Sequence, residues 1–68
     1  MRTTEEIIEK IHEMMEIEEI AFEGCEAIGK RWESFGEFEM AKEMKTNAKR
    51  HAREYNKLAD LIDWINEK

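Results

Sequence analysis

Glu18, His51, Glu54 and Tyr55 are the residues of this 68-residue chain whose types could do chemistry together. A carboxylate, an imidazole and a phenol brought to one place can share protons, and two carboxylates with an imidazole can ligate a metal ion. The remaining reactive side chains stand apart. Cys25 is the single cysteine, and His12 is the other histidine. Glu9-Lys10-Ile11-His12 has the Glu-x-x-His spacing that puts a carboxylate and an imidazole on one face of a helix. The sequence contains no glycine-rich phosphate loop, metalloprotease motif or acidic magnesium-binding pattern. It reads as a protein that is not an enzyme.

Whether those residues meet depends on the elements that carry them. The chain has no proline, so nothing forbids long helices. Thr3 and Glu6 have capping-box spacing, with Glu5 and Glu6 placed to suit the positive end of a helix. Apolar residues then recur in a 3-4 alternation through Ile7, Ile11, Met14, position 18, Ala21, Cys25, Ile28, Trp32 and Phe35, widened on one flank by Ile8, Met15 and Phe22. A second stripe runs through Ala41, Met44, Ala48, position 51, Tyr55, Leu58, Ile62 and Ile65. Gly36 suits a left-handed C-cap, and Ser34 with Glu37 offers a competing capping box.

The expectation is an all-α antiparallel hairpin, with helix 1 over about 4–33, a turn over about 34–37 and helix 2 over about 38–66. Trp32, Phe35 and Phe38 would plug its closed end. A three-helix bundle broken near Gly24 and Thr46-Asn47 is the alternative, disfavoured because both stripes run through those points.

Folding the hairpin at Gly36 places Glu18 level with residue 54, among His51, Glu54 and Tyr55. An unpaired buried charge is too costly to stand there by default. One reading is a hydrogen-bonded layer, Glu18 to His51 or Tyr55, that fixes the register of the helices. The other is a metal site. A dimer would gather two copies each of Glu18, His51 and Glu54, a set that resembles the carboxylate di-iron arrangement of ferritin-like proteins. That resemblance implies iron, zinc or manganese held by a four-helix dimer. Here the order is reversed, His51-Ala52-Arg53-Glu54. Cys25, one heptad from Glu18, reads as a small apolar residue of the seam.

Sixty-eight residues make one domain near the lower limit for a chain that buries its own core. One cysteine, no signal peptide and no long apolar run imply a soluble protein of a reducing cytoplasm, with no membrane partner. Although 41% of residues are charged, the patterned apolar residues argue against disorder. Ile17, Ile20, Met40, Leu61 and Trp64 fall outside the two stripes. That surplus implies a second chain, most simply a homodimer of two hairpins in a four-helix bundle.

Seventeen acidic residues against eleven basic give a net charge of −6, the wrong sign for direct nucleic-acid binding. Glu5, Glu9, Glu13, Glu16, Glu19, Glu23 and Glu26 form a row on helix 1 with steps of about 5–6 Å, close to the spacing of phosphates along a nucleic-acid strand. Lys42, Lys45, Lys49, Arg50, Arg53 and Lys57 would offset glutamates of a neighbouring helix or keep helix 2 soluble. Small size, acidity, one cysteine and surplus apolar surface together resemble the small phage and mobile-element inhibitors of the anti-CRISPR type. That resemblance implies a stoichiometric inhibitor or adaptor of a basic, nucleic-acid-handling protein. The glutamate row would steer the partner, and Ile17, Ile20 or Trp64 would anchor it.

Overall fold

In the computed structural model, which describes residues 2–67, two helices lie antiparallel: α1, Thr4–Ser34, and α2, Phe38–Asn66. The hairpin measures 51 × 16 × 13 Å. Helix α1 starts where the capping box requires. Thr3 Oγ1 accepts from the Glu6 amide at 3.1 Å, and Glu6 Oε1 accepts from the Thr3 amide at 3.4 Å. Both helices run unbroken through Gly24 and through Thr46-Asn47, so the three-helix alternative is excluded.

The reversal takes three residues. Gly36 adopts φ +78°, a left-handed conformation that glycine reaches without steric cost. The Glu37 amide donates to Trp32 O and the Gly36 amide to Glu33 O, both at 3.0 Å. This is the Schellman pattern, and it satisfies carbonyls that the end of α1 would otherwise leave orphaned. The competing capping box does not form. Glu37 caps α2 without a side-chain bond, and Ser34 Oγ donates back to Arg31 O at 2.7 Å.

The seam between the helices follows a strict 3-4 alternation on both sides. On α2 it is the expected row, with Ala41, Ala48 and Ile62 buried and Met44, His51, Tyr55, Leu58 and Ile65 half-buried. On α1 half of the expected row holds, through Ile11, Glu18, Cys25 and Trp32, and the other half shifts by one residue, onto the expected flank of Ile8, Met15 and Phe22 and onto Gly29. The chain turns inward Ile8, Ile11, Met15, Glu18, Phe22, Cys25, Gly29 and Trp32. Ile7, Met14, Ile28 and Phe35 are left exposed on its flank. A strict seven-residue repeat held over four turns or more of each helix keeps this seam facing its partner along its length.

Packing differs between the two ends. Toward the termini, Ile11, Met15 and Ile62 form a cluster covered by Ile8, Tyr55, Leu58, Ala59 and Ile65. Toward the turn, small residues let the backbones approach. A Cβ on Gly29 would lie 3.3 Å from Met44 Cβ and 3.6 Å from Ala41 O. The aromatic plug does not form. Phe35 and Phe38 are 73% and 68% exposed, with only Trp32 half-buried beside them.

Candidate functional site

At mid-length the seam turns polar. His51 Nδ1 lies 2.6 Å from Glu18 Oε2, and both side chains keep about a quarter of their surface exposed. An Nδ1–H donates to the carboxylate, and the short separation marks a charge-assisted bond when the ring is protonated. Tyr55, one turn along, packs against the Ile11–Met15–Ile62 cluster. An open groove runs along this side of the pair, lined by Glu18, Glu19, Phe22, Glu23, Glu26, His51, Ala52, Tyr55 and Asn56.

Glu54 does not join. Three residues beyond His51, it is turned by about 300° around α2, to the opposite flank of the seam. There its Oε1 takes a 3.4 Å contact from Lys57 of the same helix. Among the described residues no group of three His, Cys, Asp or Glu side chains is arranged to hold a metal ion. The set Glu18, His51 and Glu54 is thus a pair and an outlier within one chain. The structure brings together the elements of a register-fixing layer.

The flanks of the hairpin divide the remaining candidates. Glu33 Oε2 and Lys45 Nζ meet at 3.2 Å across one flank, the same flank as the groove. Around α1 this side continues through Glu19 and Glu26, then Glu9, Glu16 and Glu23, then Glu13 and Ile20. Every one of these residues is exposed, as is Glu5 at the start of the row. Glu13 pairs with Lys10 at 3.4 Å. Among the described residues, no basic side chain reaches ion-pair distance of Glu5, Glu9, Glu16, Glu19, Glu23 or Glu26. Of the helix 2 cations expected to offset these glutamates, Lys45 alone bridges to α1.

Ile20 stands inside this acidic side, one turn from both Glu16 and Glu23. Ile17 and Trp64 stand elsewhere. Both lie toward the other flank, where Ile7, Met14, Ile28 and Phe35 of α1 run beside Met40 and Leu61 of α2. The anchors expected to work with the glutamate row therefore split, with Ile20 among the carboxylates and Ile17 and Trp64 bordering an apolar side. Sequence reasoning missed that second side as a continuous feature, although its signal was present in the seven-residue spacing of Ile7, Met14, Ala21, Ile28 and Phe35.

No described helix is long and apolar enough to cross a membrane. Comparison with protein-family models, with curated proteins and with solved structures found no match to this chain.

Proposed function

We propose that this protein is a binding protein whose carboxylate-lined side engages a basic protein partner, acting as a stoichiometric inhibitor or adaptor of a protein that handles nucleic acid. The observation that carries the reading is the set of exposed glutamates left without cations on one side of a rigid helix. Glu5, Glu9, Glu16, Glu19, Glu23 and Glu26 project from a single 31-residue helix. Helix 2 has cations to spare and does not use them there. Glutamates four apart repel each other, so such a row lowers the stability of the free helix. A partner supplying lysines or arginines relieves that repulsion on binding, and the field of the row speeds encounter. Ile20, 63% exposed among the carboxylates, supplies the apolar contact that charge alone does not.

The test uses the intact chain as bait for a nucleic-acid-handling protein of its own cell, with affinity then measured across a salt series. The captured protein should be released by competing DNA or RNA. The triple variant Glu9→Gln, Glu13→Gln, Glu16→Gln should bind it more weakly and with a flatter salt dependence. An affinity unchanged in that variant removes the reading.

A further inference from the structure

Opposite the carboxylates lies the apolar side, and its layout speaks to a different partner. We propose that this side is the interface between two copies of the chain, packed antiparallel about a two-fold axis that crosses α1 at Ala21. The inference is independent of the function proposed above.

Area is the first argument. A compact protein of 8.2 kDa exposes about 4,500 Å², whereas this hairpin exposes 5753 Å². The excess, roughly 1,200 Å², exceeds the ~800 Å² that each partner buries in a standard interface.

Symmetry is the second. On α1 the row runs Ile7, Met14, Ala21, Ile28, Phe35, large on both sides of a small centre. Turned about Ala21, Ile7 of one copy meets Phe35 of the other, and Met14 meets Ile28. On α2 the matching row is Met40, Asn47, Glu54, Leu61. Turned about its own middle, between Arg50 and His51, it sets Met40 against Leu61 and the Asn47 amide against the Glu54 carboxylate. An isologous interface demands this self-complementarity.

The two centres also coincide. Stepping three residues along each helix from Glu18–His51 brings Ala21 opposite Ala48. Stepping eight residues the other way from Gly29–Met44 brings it opposite Ala52. The middle of the α2 row lies between these two, so one axis serves both helices.

Gly24 supplies a separate observation. A Cβ there would meet nothing within 4 Å, so the single chain has no use for a glycine that weakens its helix. Under the two-fold, Ile17 of the second copy, 65% exposed in one hairpin, comes to rest over Gly24. A knob and its hole are thereby matched. Charge agrees as well. Pairing the groove side would set two rows of glutamates against each other, whereas the apolar rows hold one carboxylate, Glu54, opposite an amide.

Sedimentation equilibrium of the intact chain at micromolar to submillimolar concentration tests this directly. The expected species is a dimer, and a monomer throughout overturns the proposal. Gly24→Ala should raise the dimer dissociation constant roughly tenfold while helix content is kept or increased. A dimer indifferent to that change places the interface elsewhere and overturns the proposal. In a Cys25→Ser background, Ala21→Cys should form a disulfide-linked dimer under mild oxidation and Glu16→Cys should not. The reverse pattern would assign dimerisation to the acidic side.

Discussion

His51 and Glu18, 33 residues apart in the chain, meet at 2.6 Å and tie the middles of the two helices together. Replacing Glu18 by alanine leaves a half-buried imidazole without its acceptor, a loss expected to cost about 1–3 kcal/mol in urea denaturation. Replacing both residues by leucine should recover most of that loss, because a paired polar layer in a seam contributes less to stability than to choice of register. A single substitution with no measurable cost would show that the bond does not constrain the fold.

Two glycines near the turn should respond differently. At Gly36, with φ +78°, alanine is strained by about 1–2 kcal/mol, and asparagine should be better tolerated. Leucine at Gly29 must intrude where a Cβ alone already stands 3.3 Å from Met44 Cβ. The helices must then part near the turn, at a cost of about 1–3 kcal/mol in thermal unfolding. Leucine accepted at Gly29 without loss of stability would contradict the close approach.

Thr3→Ala removes the side-chain half of the capping box, leaving the backbone amide of residue 3 to donate alone to Glu6 Oε1. The expected loss is about 0.5–2 kcal/mol. Hydrogen exchange should quicken at the Glu6 amide, which now donates to Thr3 Oγ1, while amides in the middle of α1 are little changed.

Repulsion along the acidic side has its own signature. Glu9 stands four residues from both Glu5 and Glu13. Neutralising it by Glu9→Gln should stabilise the protein by about 0.4–1 kcal/mol. The melting temperature should rise as salt shortens the screening length from ~30 Å at 0.01 M to ~10 Å at 0.1 M. A melting temperature that falls with salt would mean that attractive pairs dominate instead.

The turn and the caps were legible because each depends on a few residues close in sequence. Gly36 and the Thr3–Glu6 pair carry their own geometry. Alternate positions of the α1 seam fall one residue from the expected row, for a reason that lies in Gly29. Ile8, Met15, Phe22 and Gly29 form the inward row, with Met15 and Gly29 buried and the other two half-buried, yet a glycine looks like a gap in an apolar stripe when it is the point of closest approach. The competing row through Ile7, Met14, Ala21, Ile28 and Phe35 has no such gap and reads as the stronger seam. The polar layer was half legible. Counting from the turn fixes the level of residue 51 against residue 18, and that much suffices for Glu18–His51. It does not fix azimuth, which carries Glu54 round to the far flank. The aromatic plug failed on the same ground, since Phe35 and Phe38 are level with each other but point away from the space between the helices.

The uneven packing of the hairpin also bears on the order in which it forms. Near the turn, Gly29, Ala41 and Ala48 join segments separated by a short loop, and contacts across a short loop cost little chain entropy. Their small side chains return little in exchange. The large apolar cluster of Ile11, Met15 and Ile62 sits at the far end, where its partners are separated by most of the chain. Closure can therefore begin cheaply at Gly36 but gains its main reward only when the first turns of α1 and the last turns of α2 come together. A chain built this way favours all-or-none formation, because a half-zipped hairpin has spent entropy without reaching the residues that hold it shut.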